Sequence, residues 1–220
     1  MAKVIIFGVL DTAQLAHFYL KHDSTHEIVA FSVSEEYMPE RSVFEGLPVV
    51  PFEDVENVYS SSDYHFFAPM TAKKMNKLRE SIYYNIKNKG YRLISYVSSK
   101  ATVYPGSQIG ENCFILEDNT IQPFTPIGNN VVMWSGNHIG HHGLIKDHVF
   151  FTSHVVLSGH CTVESYSFFG VNSTIRDFIY IAEGTLVGMS SSVTKNTEAW
   201  GIYTGNPAKK QKRLSHEIDF

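Results

Sequence analysis

The chain has 220 residues, of which 43% are hydrophobic and 18% charged, enough for one large domain or two small ones. Eighteen basic against 22 acidic residues give a formal net charge of -4, which argues against a nucleic-acid partner. No apolar run approaches the roughly 20 residues that a membrane span needs. The amino terminus lacks the pattern of a secretory signal, and two cysteines are too few for a disulfide framework. We therefore expect a cytoplasmic protein without a membrane partner.

The first 95 residues alternate strand-like with helix-like segments. Asp11 and Thr12 are candidates to cap the first helix. The predicted strands cover residues 3–8, 27–31, 64–68 and 92–96, and the predicted helices cover residues 13–21 and 73–87. Such alternation is typical of a parallel sheet with helices packed on it. We therefore predict a small α/β domain over residues 1–95.

Ligands of such a sheet lie outside the carboxyl ends of its strands. Gly8 and Asp11 follow the first predicted strand, Ser34 follows the second, and Pro69 follows the third. We take these four as candidates to bind the substrate, although Gly8 is equally typical of an ordinary strand-to-helix turn. Arg79, on the second predicted helix, is a further candidate, for an acceptor's diphosphate. Its alternative is a solvated helical face.

From Val97 onward the sequence repeats every six residues. Seventeen apolar residues stand at successive steps of six from Val97 to Val193, with no insertion. At a hydrophobic content of 43%, chance produces such a series about once in a million sequences. The pattern is the hexapeptide repeat of a parallel β-helix, in which each hexad supplies a short strand and a turn. We predict this β-helix over residues 96–198 and a capping tail over residues 199–220.

Both cysteines, Cys113 and Cys161, fall at the fifth position of the hexad, which is usually small or apolar. Their predicted role is therefore packing inside the β-helix.

Three features together resemble the bacterial sugar acetyltransferases of the sialic acid O-acetyltransferase and bacillosamine or perosamine N-acetyltransferase type. They are the α/β start, the uninterrupted hexads and the segment Gly205-Asn206-Pro207-Ala208-Lys209, and they span nearly the whole chain. The resemblance implies a Rossmann-like N-terminal domain that holds a nucleotide-linked sugar. It also implies a left-handed β-helix with three hexads in each 18-residue coil, a homotrimer, and acetyl-CoA bound between adjacent β-helices, without a metal.

The resemblance also implies site residues. The family's general base corresponds to His141, where relatives commonly follow the histidine with an acidic residue that orients it. This chain has His142 at that position, and Asp147 is an alternative orienting group. The family's oxyanion glycine corresponds to Gly159. Lys209 is expected at the CoA phosphates, unless it belongs to a solvated tail. The remaining candidates for CoA, beside Gly159, are Val171, Gly188, Met189, Gly205 and Pro207.

Six of the 11 histidines lie between residues 138 and 160. His142, His148, His154 and His160 are six residues apart, but on a three-sided coil only His142 and His160 are expected to stack. For each of these four, the alternative to a functional role is a solvated or intersubunit side chain. His138 is the rival base and a candidate for substrate binding.

These observations favour an acetyl-CoA-dependent acetyltransferase that modifies an amino or hydroxyl group of a nucleotide-linked sugar for surface polysaccharide, such as lipopolysaccharide. One alternative is a trimeric zinc hydratase of the γ-carbonic anhydrase type. Those relatives have two histidines five residues apart, a spacing absent among the six clustered here. Another is a non-catalytic sugar-nucleotide-binding homologue, since no acid follows His141 and Phe150 replaces a second family histidine.

Overall fold

The structure, a computed structural model, describes residues 1–218, which form two compact units. The first comprises Met1–Thr71 and Ser81–Tyr96, and the second comprises Ala72–Glu80 and the chain from Val97 onward. The segment Ala72–Glu80 therefore belongs with the repeats, although it lies in the middle of the predicted α/β region. No helix among the described residues is long and apolar enough to cross a membrane.

The N-terminal unit is built on one six-stranded sheet in the order β3-β4-β2-β1-β5-β6. All neighbours pair in parallel except β3 and β4, which form an antiparallel hairpin. The strands are β1 Lys3–Phe7, β2 Glu27–Val33, β3 Val43–Phe44, β4 Leu47–Pro51, β5 Tyr64–Phe67 and β6 Arg92–Leu93. The helices are α1 Asp11–His22, α2 Val55–Val58 and α3 Lys77–Asn88.

The sheet is buried as its sequence pattern requires. Val4, Ile5 and Ile6 are fully buried, so β1 is covered on both faces, as is usual for a parallel strand. Phe66 of β5 packs edge-to-face on Phe52 and Tyr91, with ring centroids 6.0 and 4.8 Å apart. Each such buried aromatic or aliphatic side chain contributes about 1.5–3 kcal/mol to folding.

Several predicted boundaries move. The α1 helix begins at Asp11, with Leu10 at the N-cap and no side-chain cap, so Asp11 instead faces the positive end of the helix dipole. The α3 helix begins at Lys77 rather than at residue 73, because Lys74, Met75 and Asn76 have positive φ values of 52°, 47° and 66°. The predicted strand 92–96 divides into β6 and the first strand of the repeats. The hairpin β3-β4 and α2 were not predicted from the sequence.

The repeats form the predicted parallel β-helix. Strands in successive coils pair in parallel at an offset of 18 residues, as in Ile121 with Ile139 and Ile139 with Leu157. The strands are β7 Tyr96–Val97, β8 Thr102–Val103, β9 Phe114–Ile115, β10 Thr120–Ile121, β11 Val132–Met133, β12 His138–Ile139, β13 Leu144–Ile145, β14 Phe150–Phe151, β15 Val156–Leu157, β16 Thr162–Val163, β17 Phe168–Phe169, β18 Thr174–Ile175, β19 Tyr180–Ile181, β20 Leu186–Val187 and β21 Ser192–Val193.

The first residue of each hexad points into the axial core, as predicted. Ile139, Val163 and Phe169 are fully buried, and the Phe151 ring stacks on Phe169 with centroids 4.5 Å apart. Both cysteines are buried thiols in this core region and form no disulfide, as their repeat position predicts.

The turns of the β-helix place the fourth residue of most hexads in the left-handed region. His142, His148, His154 and His160 have φ values of 53°, 63°, 59° and 57°. Asn, Asp and His tolerate this conformation better than most side chains. The spacing of six among these histidines is therefore a property of the turn.

The C-terminal segment continues the β-helix. Strand β22, Gly201–Thr204, pairs in parallel with β20, and β23, Lys209–Leu214, returns antiparallel to β22. These two strands complete an eight-stranded sheet of the repeat unit, so the predicted cap is an integral part of that sheet. The last two residues of the predicted tail lie outside the described part of the chain.

Candidate functional site

One corner of the β-helix carries a column of aromatic rings on its surface. Phe124, His142, His160 and Phe178 occupy equivalent left-handed turn positions in four successive coils. Their ring centroids are 4.7, 5.2 and 4.5 Å apart along the column, which confirms that His142 stacks on His160. The two phenylalanines are 60% and 67% exposed, although they are apolar. We call these four residues, together with His141, the histidine corner.

His141, the predicted base, lies beside this column and turns its ring toward it. The ring stands nearly perpendicular to His142 and to His160, at centroid distances of 5.1 and 5.2 Å. Its Nδ1 atom is 3.0 Å from Nδ1 of His142, so one of the two donates a hydrogen bond to the other. Its backbone N–H donates to Oε1 of Gln122 at 3.1 Å. His142, which stands where the resemblance leads one to expect an acidic residue, is thus the hydrogen-bond partner of Nδ1 of His141.

Asp147, the alternative orienting group, is engaged elsewhere. Its Oδ1 accepts a hydrogen bond from the backbone N–H of Asn129 at 2.6 Å, in the turn that follows β13. His141 lies in the turn that precedes β13, so Asp147 belongs to a different corner. Asp147 therefore does not contact His141, and the expectation that it orients His141 is wrong.

Gly159, the predicted oxyanion residue, lies directly against the ring of His141. A Cβ atom added at Gly159 would lie 3.0 Å from Cε1 and 3.2 Å from Nε2 of that ring. Such distances are shorter than ordinary carbon contacts, so any side chain at position 159 would push the imidazole away. The absence of a side chain at Gly159 thus allows the observed position of His141.

His160 is the residue at this corner to which the sequence assigned no role. It was predicted to be a solvated or intersubunit side chain, and it is exposed, but it also contacts both His141 and His142. The 18-residue spacing from His142 was the signal that could have identified it.

The rival base, His138, lies on β12 and is half-buried. Its strand neighbours in register are Thr120 and Val156, so it belongs to a face of the β-helix and not to the turn that holds His141. Its role in binding substrate stays a prediction.

Most of the residues predicted to bind CoA gather at a third corner, the turns that contain His154, Asn172 and Ser190. Val171 and Met189 are 40% and 75% exposed there. Gly205 joins them, since its N–H donates to Oγ of Ser191 at 3.0 Å and its carbonyl accepts from N–H of Ser192 at 2.9 Å.

Of the other residues predicted to bind CoA, some lie near the third corner and some lie away from it. Gly188 begins the turn that holds Met189, and Pro207 follows a cis peptide bond after Asn206. Lys209 is exposed at the start of β23, while Gly159 lies at the histidine corner. Within one chain, most of the residues predicted to bind CoA therefore lie together, but at a different corner from His141.

The remaining corner is buried by the segment Ala72–Glu80. Its column of left-handed turn residues is Asn112, Asn130, His148 and Tyr166, and we call these four the covered corner. Asn112 and Asn130 are joined by a side-chain hydrogen bond of 2.8 Å, and Asn130 is joined to Nδ1 of His148 at 2.9 Å. His148 is only 2% exposed, so the expectation of a solvated or intersubunit side chain is wrong for it.

Arg79 binds this covered corner and not a ligand. Its guanidinium is fully buried and donates to the backbone oxygens of Asn130 and His148, the latter at 3.1 Å, and to Oδ1 of Asn76 at 2.9 Å. Burial lowers the pKa of Arg79 to about 9. Because the guanidinium is enclosed and bonded within the protein, the predicted contact with a diphosphate is wrong.

Two charged side chains complete the attachment of this segment. Oε1 of Glu80 accepts a hydrogen bond from the hydroxyl of Tyr166 at 2.6 Å, and Nζ of Lys77 lies 3.4 Å from the centre of the Tyr166 ring. Burial raises the pKa of Glu80, but hydrogen bonds from Tyr166 and Lys77 outweigh it and lower the pKa overall. Burial, with the charge of Arg79, lowers the pKa of His148 to about 4. The covered corner thus contains a neutral histidine.

The N-terminal candidates follow strands that are neighbours in the sheet. Gly8 and Asp11 follow β1, Ser34 follows β2 and Pro69 follows β5, so all four lie at the same carboxyl edge. Gly8 has a φ of 111°, which only glycine adopts readily, and its N–H donates to the carbonyl of Ser32 at 2.8 Å. The glycine is therefore required by the turn, whatever binds there.

A cavity lies beside α1 that the sequence did not predict. It has a volume of about 460 Å³, and its lining includes Asp11, Gln14, His17, Phe18 and Glu45. Gln14 donates to Oε1 of Glu45 at 2.6 Å, which connects the helix with the loop of the hairpin β3-β4. Because that hairpin was not predicted, the sequence could not place Glu45 beside the helix.

Comparison with curated sequences gives partial matches. No family model matches the chain. The acyl-[acyl-carrier-protein]–UDP-N-acetylglucosamine O-acyltransferase of Sinorhizobium fredii is 29% identical over 106 residues, which are 45% of this chain and 39% of that protein. The same enzyme of Campylobacter concisus is 28% identical over 119 residues, 51% of this chain and 45% of that protein. The chain thus matches less than half the length of these relatives.

Comparison with solved structures extends over nearly the whole chain. Perosamine N-acetyltransferase from Caulobacter crescentus, solved with CoA and GDP-perosamine, has a TM-score of 0.84 at 18% identity, covering 97% of this chain and 98% of that one. The acetyltransferase domain of PglB from Neisseria gonorrhoeae has a TM-score of 0.82 at 18% identity, covering 96% and 100%. The resemblance to bacterial sugar acetyltransferases is thus confirmed at the level of the fold.

Proposed function

We propose that the protein is an acetyl-CoA-dependent acetyltransferase that acts on an amino or hydroxyl group of a nucleotide-linked sugar, in the cytoplasm, for surface polysaccharide synthesis. One observation carries the proposal: His141 is held by His142 and packed on Gly159 at an exposed corner of the β-helix. The structural relatives named above support it. One is a perosamine N-acetyltransferase solved with CoA and GDP-perosamine, and the other is an acetyltransferase domain that has also been solved with acetyl coenzyme A.

The pairing of the two histidines suggests which atom reacts. Because Nδ1 of His141 is bonded to His142, Nε2 is the nitrogen left to face a substrate. A base needs a free lone pair, so the productive arrangement has the proton on Nδ1 of His141, which donates it to the lone pair on His142. His142 then has the role of the family's acidic residue: it selects the tautomer and orients the ring.

The reaction follows from this arrangement. Nε2 of His141 takes a proton from the acceptor's amino or hydroxyl group as that group attacks the thioester carbonyl. The carbonyl oxygen becomes an oxyanion, and the backbone N–H of Gly159 is proposed to stabilise it. When the carbon–sulfur bond breaks, the protonated His141 returns its proton to the thiolate, so the products are the acetylated sugar and free CoA.

We infer that the site is completed between subunits of a homotrimer. The sheet β21-β18-β15-β12-β10-β8 lies between the third corner, which holds the predicted CoA residues, and the histidine corner. If neighbouring copies pack side by side, the third corner of one chain would meet His141 of the next. The exposure of Val171 and Met189 supports this, because apolar side chains clustered on a surface are typical of a binding interface.

The strand order of the N-terminal unit supports nucleotide binding there. Read in chain order without the short edge strand β3, the sheet has the order 3-2-1-4-5 of doubly wound nucleotide-binding folds. The order reverses between β1 and β5, where such folds bind their ligands. Gly8 and Asp11 follow one of these strands and Pro69 the other. We therefore propose a Rossmann-like unit that holds the nucleotide of the acceptor at this edge.

The direct test is CoA release. The protein is incubated with acetyl-CoA and a panel of nucleotide-linked amino sugars, and the free thiol is measured for the wild type and for His141→Asn. We expect one acceptor to be acetylated and the variant to be slower by about 10²–10⁴-fold, the usual contribution of a general base. His216→Asn, which removes an exposed histidine from the C-terminal segment, serves as the control.

Two results would contradict the proposal. Equal thiol release by wild type and His141→Asn would show that His141 is not the base. Stoichiometric zinc in the purified protein, together with zinc-dependent hydration of carbon dioxide, would instead support the hydratase.

A further inference from the structure

Three imidazoles converge at the histidine corner. The ring centroids of His141, His142 and His160 are 5.1, 5.2 and 5.2 Å apart, so they form a nearly equilateral triangle. One ligand nitrogen from each of the three lies within 4.8 Å of the others, and all three residues are exposed.

This spacing suits a metal ion. Three imidazoles bound to one tetrahedral Zn²⁺, at Zn–N distances of about 2.0–2.1 Å, have ring centroids roughly 5 Å apart. The rings of His142 and His160 are nearly parallel, at 16°, so they must turn to aim their nitrogens at one point. That rotation is about χ2, which is a soft torsion for histidine. Because the rings are exposed, their rotation does not disrupt packing in the protein interior.

The turn geometry accounts for only two of these histidines. His142 and His160 occupy left-handed positions where histidine is tolerated, and they stack because they are 18 residues apart. His141 occupies no such position, yet its ring faces both of the others. The convergence of three rings is therefore more than a consequence of the repeat.

We propose that His141, His142 and His160 bind a divalent transition-metal cation, and that the bound ion inhibits the enzyme. The inhibitory part rests on the proposed function. If the ion takes Nδ1 of His141, it breaks the hydrogen bond to His142 and leaves the ring proton on Nε2, so Nε2 has no lone pair for the acceptor's proton. If it takes Nε2, it occupies the lone pair that the base needs. Either mode of coordination prevents His141 from accepting the acceptor's proton.

The ligand set also predicts which ions bind. Imidazole nitrogen is preferred by zinc, copper and nickel, whereas magnesium and calcium prefer carboxylate and carbonyl oxygen. Within residues 1–218, the cluster consists of three histidines and contains no carboxylate. Zn²⁺ is therefore expected to bind, with water at the remaining position, and Mg²⁺ is not expected to displace it.

The first experiment measures Zn²⁺ binding to the full-length protein by isothermal titration calorimetry. Wild type is compared with His160→Asn and with the control His216→Asn. His216 is also an exposed histidine, but it lies in the C-terminal segment, outside the histidine corner and the third corner. Asparagine tolerates the left-handed conformation of residue 160, and residue 216 is exposed, so both variants are expected to fold. We expect wild type and His216→Asn to bind one Zn²⁺ per chain, and His160→Asn to bind it at least about tenfold more weakly.

The second experiment measures the effect of zinc on acetyl transfer. Each protein is compared with its own rate in a chelator, and we expect Zn²⁺ to inhibit wild type and His216→Asn reversibly, while His160→Asn needs at least about tenfold more Zn²⁺ for the same inhibition. Equal affinity in all three proteins overturns the metal site. Weaker binding to His160→Asn without inhibition of the wild type overturns the inhibitory part. If no acceptor is acetylated in chelator, the proposed function fails, while the calorimetry still decides the metal site.

Discussion

The histidine corner and the covered corner are made from the same backbone turn, and they differ in what lies over them. In both, the fourth residue of each hexad is left-handed, and side chains stack at intervals of 18 residues. The covered corner is closed by the segment Ala72–Glu80, so its polar groups are bonded and His148 is held neutral. The histidine corner leaves His141 exposed beside the ring column. The comparison teaches that the repeat supplies positions for side chains, while the cover decides whether they stabilise the fold or remain available for chemistry.

The largest expected effect is on stability, from Arg79→Met at the covered corner. This change leaves buried carbonyl oxygens of Asn130 and His148 without their donor. Leaving a buried acceptor without its hydrogen bond costs about 1–3 kcal/mol for each acceptor, and urea unfolding measures the summed loss. Arg79→Lys keeps the charge with fewer donors, so its loss should be smaller. An Arg79→Met protein as stable as the wild type would show that Arg79 does not stabilise the covered corner.

The next effect is on activity, from Gly159→Ala at the histidine corner. The new methyl group would lie 3.0–3.3 Å from the ring of His141 and displace it. The ring must shift by a few tenths of an ångström, which is less than the roughly 1 Å misplacement that can cost about 10²-fold in kcat. The kcat should fall while the melting temperature changes little, and Ser158→Ala, one residue earlier, serves as the control. Undiminished kcat in Gly159→Ala would show that the ring position does not matter.

A smaller effect is the pH dependence of stability that His148 confers. Its pKa is about 4 in the folded protein and 6.5 in the reference state, so between these values the unfolded chain binds a proton that the folded chain does not. The wild type should therefore lose stability, by about 2 kcal/mol, as the pH falls from about 7 to about 4.5. His148→Asn continues the asparagine column and should lose less over the same range. Urea unfolding of both proteins at pH 7 and at pH 4.5 measures the two losses. Identical losses would show that His148 is not the cause of the pH dependence.

The smallest effect concerns His142, the positioning partner of His141. His142→Asn removes the ring that bonds Nδ1 of His141, and we expect kcat to fall about tenfold with KM for acetyl-CoA unchanged. Unfolding free energy should change by no more than about 0.5 kcal/mol, because the site is exposed. His142→Asp supplies the kind of acidic partner expected from the family resemblance, and should restore kcat. Equal kcat in the His142→Asn and His142→Asp variants would show that residue 142 contributes to the turn and does not position His141.

The sequence predicted some parts of the site and not others. The stacking of His142 on His160 followed from the 18-residue coil, because parallel strands in successive coils hold equivalent residues one strand spacing apart. The hydrogen bond between His141 and His142 did not follow, since it depends on the rotamers of two adjacent side chains. The local sequence pattern did not predict the burial of Arg79 either. A basic residue on a polar helix resembles a solvated one until a distant surface buries it.

The sequence by itself determined the hexad period and thus the parallel β-helix, its register and the identity of its core residues, because an apolar residue every six positions can be buried together only in such coils. It also indicated the alternating strands and helices of the first unit. Only the tertiary structure decided that Lys74–Asn76 turn away from the predicted helix, that Ala72–Glu80 closes one corner, and that the histidine corner stays exposed. Those outcomes depend on contacts between residues far apart in the chain, such as Asn76 with Tyr166, 90 positions away, which no local periodicity encodes.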